Sequence, residues 1–124
     1  MRTADYIAKF LKKKGVNEIF MLTGYGAMYL NDAIQSAKIK HYASRNEAAA
    51  PMMASSYSKI SGKIGAVCVT AGPGATNALP GLAEAWVDSS PVMIFSGQVE
   101  KKHTTNYLNI KGLNLEKNYG QHNA

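Results

Sequence analysis

Residues 65–70 read Gly-Ala-Val-Cys-Val-Thr, and the stretch Ala71-Gly72-Pro73-Gly74 breaks that run at once. Side chains of a strand alternate between two faces, so a strand that is apolar at every position is buried on both. A sheet covered on both sides is the layout of parallel α/β proteins, in which helices carry the chain back from one strand to the next. The rest of the chain must then supply those helices and further strands.

The patterning supplies them. Thr3 is suited to cap a helix with the apolar face Ile7, Phe10 and Leu11, and Gly15 stops it. Glu18 to Leu22 reads as a strand entering the turn Gly24-Tyr25-Gly26, Met28 to Ser36 is helical in period, and His41 to Ala43 is a short extended piece. Asn46 is placed to cap a helix that runs to Ser61 and ends at Gly62. After the apolar strand come a helix over Asn77 to Asp88 and a second all-apolar strand, Val92 to Phe95. The expected fold is α/β, a parallel sheet with helices on both faces and right-handed crossovers, a Rossmann-like three-layer sandwich. Ligands in such folds sit at the carboxyl ends of the strands. The turn at 24–26, the acid Glu47 and the turn at 72–74 would all share that rim.

Composition narrows the class. The chain has 124 residues, 46% hydrophobic and 18% charged, enough for one domain that buries roughly two-thirds of its unfolded surface. Its longest unbroken apolar run, about Ala66 to Val69, falls far short of the ~20 residues a membrane span needs. Met1 to Asp5 lacks the layout of a signal peptide. Cys68 stands alone, so no disulfide framework is expected and a cytoplasmic location is. The formal charge of +6 is dispersed. Lys12, Lys13 and Lys14 complement a helix C-terminus, and no element interleaves basic with aromatic side chains. Neither nucleic acid nor a membrane is an expected partner.

Two stretches carry possible chemistry. In Thr70-Ala71-Gly72-Pro73-Gly74-Ala75-Thr76-Asn77 the glycines allow a sharp strand-to-helix turn and a close approach of backbone to a ligand. The segment lacks the Lys-Ser/Thr of a phosphate loop, and Asn77 stands where a dinucleotide fingerprint needs its third glycine. On the residues alone a plain tight turn and a ligand loop stay equally open. Glu47 at a helix start could serve only to offset the helix dipole, worth ~0.3–1 kcal/mol. Its setting is less ordinary, because Ala48, Ala49, Ala50 and Pro51 follow it and supply no cation.

Taken together, SRNEAAAPMMASSYSKISGK and AVCVTAGPGATNALPGLAEAWVDSSPVMIFSGQV closely resemble the N-terminal, pyrimidine-binding domain of thiamine diphosphate-dependent enzymes. The branch containing acetolactate synthase, pyruvate oxidase and 2-oxoacid decarboxylases fits best. Matching stretches cover about residues 2–99, including the Glu before small residues, the closing Ser-Gly-Lys, Thr-x-Gly-Pro-Gly-x-Thr-Asn, and Ser-Gly-Gln-Val.

The resemblance implies a role for the lone acid. Glu47 would hydrogen-bond N1′ of the cofactor's aminopyrimidine and exchange a proton with it, in an enzyme that cleaves a 2-oxoacid and passes on or ligates the product. Small apolar neighbours would keep the carboxylate dry, a setting that disfavours its ionised form, and would leave room for a flat ring. Thr23 and Gly24 would line the pyrimidine pocket, with Thr23 standing where the family has Pro. Thr70, Pro73 and Asn77 would shape it, although Asn77 could equally cap its helix. Gln98 would lie near the substrate. Asn46 and Ala48 replace a frequent His and Gln.

The resemblance also implies what another chain or domain must bring. No Gly-Asp-Gly occurs here, so thiamine diphosphate would meet this chain at its pyrimidine end, and Mg²⁺ would be reached only through a missing domain or a partner. We expect a domain over 1–112 and an irregular tail at 113–124, from a split subunit or a truncated gene product that is inactive alone. Partners would be a second copy or a diphosphate-binding subunit, and Met52, Met53, Trp86 and Val87 are candidates for interface or core. The alternative is a non-catalytic interaction module that keeps the fold and the dimer surface.

Overall fold

The computed structural model describes residues 1–99; the tail expected at 113–124 lies outside them. Four strands form one sheet: β1 (Glu18–Met21), β2 (Lys40–Ala43), β3 (Gly65–Val69) and β4 (Val92–Ser96). Their order is β2-β1-β3-β4 and every pairing is parallel. Phe20 sits between Tyr42 and Val67, and Val67 pairs in turn with Ile94. All five residues of β3 are buried, as its unbroken apolar run requires.

Alternation along the strands builds two cores. Ile19, Met21, Ala66 and Cys68 pack with Leu11, Ile34 and Ile39 on the face covered by α1 (Thr3–Lys13) and α2 (Met28–Ser36). Phe20, Val67 and Val69 pack with Ala50, Ala54, Ala75 and Ala78 on the face covered by α3 (Ala49–Ser61), α4 (Pro73–Asn77) and α5 (Leu79–Val87). The three-layer parallel α/β sandwich expected from the sequence is present. No helix among the described residues is long and apolar enough to cross a membrane.

Several local expectations need correction. The inner face of α1 is Ala4, Ala8 and Leu11, whereas Phe10 is 44% exposed and stacks on Tyr6. Ala4 and Ala8 meet Ala33 of α2, and that close helix crossing turns the larger ring outward. Thr3 is the first helical residue rather than the cap, and the Asp5 carboxylate accepts the Arg2 backbone N–H at 3.0 Å. The helix expected from Asn46 starts at Ala49, because Asn46 Oδ1 accepts the Ala48 N–H at 2.7 Å and closes a turn ahead of it. The helix expected over 77–88 is α5, and a further short helix, α4, precedes it in the stretch expected as a turn, the two breaking at Ala78. Pro80 has no N–H to give to the preceding turn, so the ladder is interrupted there.

Candidate functional site

Parallel strands separated by helices place every strand-to-helix loop at one end of the sheet. The loops after β1, β2 and β3 therefore meet at the carboxyl rim, and Thr70 is the residue they meet around. The Gly26 N–H donates to Thr70 Oγ1 at 3.1 Å. A Cβ on Gly24 would lie 2.4 Å from Thr70 Cβ, and one on Gly74 would lie 2.6 Å from Thr70 Cγ2. Both positions exclude any side chain, since real Cβ atoms do not approach that closely. Gly72 turns the chain from β3 into α4 with φ +62° and ψ −121°, a backbone that L side chains resist.

Glu47 stands over this cradle. Its Oε1 is 3.5 Å from the place a Gly74 Cβ would fill, and its Oε2 accepts a hydrogen bond from Asn77 Nδ2 at 2.7 Å. Asn77 Nδ2 also lies 3.5 Å from Asn46 Oδ1. No salt bridge among the described residues involves Glu47. The carboxylate is half-buried rather than dry, a correction to the expected setting: Ala48 and Ala49 are themselves half-buried, and one carboxylate oxygen meets an amide donor. Gly81 supports the arrangement from below, where a Cβ would come within 2.5 Å of the Ala48 carbonyl oxygen, so α5 packs directly under the Glu47 turn.

The remaining candidates divide. Pro73 is exposed and opens α4, where its missing N–H is no loss. Asn77 ends α4 and caps nothing; its side chain is committed to Glu47. Thr23 is exposed and lines a different cavity of about 350 Å³ with Asn31, Asp32 and His41, on the α2 side of the sheet. Gln98 lines a cavity of about 730 Å³ with Arg2, Ile7, Gly26 and Tyr29, and its Oε1 accepts the Val99 N–H at 2.9 Å. That cavity shares the glycine turn with Thr70, because a Cβ on Gly97 would fall 2.1 Å from the Gly26 carbonyl oxygen. Glu47, Thr70, Gly24 and Asn77 thus form one cluster, with Gln98 behind the turn and Thr23 turned away. The sequence places Gly26 and Gly74 in the two rim turns and offers Asn46 as a helix cap; the contacts of these residues with Thr70, Glu47 and Asn77 are added by the structure.

No competing reactive centre is present among the described residues. Cys68 is buried within β3, where burial pushes its thiol up to about 11, and a protonated thiol is a poor nucleophile. No three His, Cys, Asp or Glu side chains converge among the described residues.

Comparison with known proteins gives the family. Residues 1–121 match the family described as thiamine pyrophosphate enzyme, N-terminal TPP binding domain. The acetolactate synthase large subunit of Lactococcus lactis is 46% identical over 97 residues, covering 77% of this chain and 17% of that protein. The acetolactate synthase isozyme 2 large subunit of Escherichia coli is 39% identical over 99 residues, 80% of this chain and 18% of the relative. A probable acetolactate synthase large subunit of Methanocaldococcus jannaschii is 37% identical over 125 aligned residues, 99% of this chain and 21% of the relative. The chain spans about a fifth of the length of the curated relatives it matches.

Proposed function

Because the chain belongs to the thiamine pyrophosphate enzyme family, as an N-terminal TPP-binding domain, we propose that it forms the pyrimidine-binding half of an acetolactate synthase-type enzyme acting on a 2-oxoacid. The observation that carries the reading is Glu47: a half-buried carboxylate with no cationic partner among the described residues, one oxygen held by Asn77 and the other over Gly74.

The residues fit the aminopyrimidine. The missing Cβ atoms at Gly24 and Gly74 keep the surface beside Glu47 low, as a flat ring requires, and Oε1 meets no donor among the described residues. Glu47 would hold and pass a proton at that atom, Thr70 would keep the two glycine loops in register, and Gln98 would face the substrate. Thiamine diphosphate, when bound, supplies a nucleophilic carbon and an electron sink for breaking the bond between carboxylate and carbonyl carbon. Its diphosphate and Mg²⁺ need a set of oxygen ligands. We assign that end to another domain or subunit, and the working assembly to a homodimer or such a complex in the cytoplasm.

The test is a graft. Residues 1–99 of this chain replace the matching segment of the Lactococcus lactis large subunit, and carbon dioxide release from 2-oxoacids is measured with thiamine diphosphate and Mg²⁺. The graft is expected to turn over, and Glu47→Gln to lower kcat by roughly 10²–10⁴-fold, the usual loss for a positioned proton-transfer group. A graft that folds, assembles and binds the cofactor yet releases no carbon dioxide would instead favour a non-catalytic interaction module.

A further inference from the structure

The polar contacts around Glu47 form a short directional chain. The Ala48 N–H donates to Asn46 Oδ1 at 2.7 Å. That oxygen lies 3.5 Å from Asn77 Nδ2, which donates to Glu47 Oε2 at 2.7 Å. An asparagine amide has two donors on one nitrogen and one acceptor oxygen. With its nitrogen between an amide oxygen and a carboxylate oxygen, Asn77 has one orientation that satisfies both and none when flipped, since the flip would set oxygen against oxygen. Asn46 is itself fixed by a backbone N–H, so it sets the orientation of Asn77.

We propose, resting on the assignment of Glu47 above, that Asn77 is a positioning residue. Its amide fixes Oε2 and thereby selects Oε1 as the atom that meets the ligand, while Asn46 aims Asn77. A glutamate side chain has three rotatable bonds, and at the start of a helix nothing local fixes its last one. Without Asn77 either oxygen could turn to Gly74 and the carboxylate could swing into solvent. The residue ends a five-residue helix and is exposed, so it contributes little to the core, and its amide contacts are those with Glu47 and Asn46. It acts on the ligand only through Glu47.

Two measurements on the full chain decide this. In the free protein, one Asn77 side-chain N–H resonance is expected downfield and slow to exchange, and to return to the ordinary position in Glu47→Ala. Asn46→Ala is expected to shift the same resonance part of the way. Binding is then followed by NMR titration with thiamine, which carries the aminopyrimidine without the diphosphate. Asn77→Ala is expected to weaken binding about tenfold, which is ~1.4 kcal/mol, and Asn77→Asp by more, since it sets a second carboxylate against the first. A double-mutant cycle separates positioning from a general structural effect. In a Glu47→Ala background, which removes the acceptor, Asn77→Ala should cost little further, whereas a structural role would cost the same tenfold again. An ordinary Asn77 resonance in the free protein, or an undiminished Asn77 effect beside Glu47→Ala, would overturn the proposal. An intact Asn77–Glu47 signal with no thiamine binding would support the positioning contact and count against the functional reading alone.

Discussion

The two faces of the sheet are packed from different materials. On one, α1 and α2 bury Leu11, Ile34 and Ile39 against Ile19 and Met21. On the other, α3, α4 and α5 bury mainly alanines, Ala50, Ala54, Ala75 and Ala78, against Val67, Val69 and Phe20. Large side chains hold helices off the sheet by their own bulk and tolerate small adjustments. Small ones bring backbone onto backbone, as where a Cβ on Gly65 would fall 2.3 Å from the Ala54 carbonyl oxygen. The acid stands at the start of α3, on the small-residue face. There its position is set by main-chain contact with β3 and α5 instead of by long side chains that can change rotamer.

The faces should therefore fail in opposite ways. On the large-residue face the damaging change is a loss of volume. Leu11, 2% exposed, packs in one cluster with Ile19, Ile34 and Ile39, and Leu11→Ala is expected to cost about 2–5 kcal/mol in urea unfolding. On the small-residue face the damaging change is a gain. Gly65→Ala is expected to cost about 1–3 kcal/mol through overpacking. It should also shift the amide resonances of the Glu47 turn, which Leu11→Ala should leave in place. A neutral Gly65→Ala would mean that main-chain contact does not set the position of α3, and the contrast would collapse.

What the sequence made legible follows the same division. The strand at 65–69 and the convergence of three loops on one rim could be read because apolar runs and glycine turns are local signals. The face of α1 was misread because counting Ile7, Phe10 and Leu11 gives weight to bulk, whereas Ala4 and Ala8 are what the neighbouring helix admits. The break between α4 and α5 was carried by Pro80 and could have been seen. The bond from Asn77 to Glu47 spans thirty positions, and no local pattern distinguishes that use of an asparagine from a helix cap. Thr23 comes one residue before a well-placed glycine yet faces Asn31 and His41, because neighbours in extended chain point to opposite sides. Met52, Trp86 and Val87 are exposed, Trp86 by 85%, while Met53 packs on the small-residue core; periodicity alone left those roles open.

The weakest expected effects come from the ion pairs that tie the helices of each face together, and they sharpen the comparison through pH. At the rim, Arg2 joins the start of α1 to α2, bonding Asp5 at 2.8 Å and Asp32 at 2.5 Å. At the far end, Lys59 joins the end of α3 to Asp88 and, at 3.6 Å, Glu84 of α5. Hydrogen bonds from Arg2 hold the Asp5 carboxyl down to about 2. A carboxyl lower in the folded than in the unfolded chain stabilises above the unfolded value near 3.9, and that contribution fades as pH falls from about 4 towards 2. Lys59 is shifted the other way, raised chiefly by its hydrogen bond to Asp88. Its contribution is complete below the unfolded value near 10.4 and is lost as pH rises beyond it. All these groups are solvent-screened, so each pair contributes little. The measurable quantity is a difference in urea midpoint from a single variant. The gap between the native chain and Asp5→Asn should close below pH 4 and stay constant in alkali, whereas the gap to Lys59→Met should also close as pH rises above 10. An Asp5→Asn gap that persists in acid, or a Lys59→Met gap that does not move in alkali, would mean that the pair does not tie its helices; both gaps should also shrink in 1 M salt, where the Debye length falls to about 3 Å.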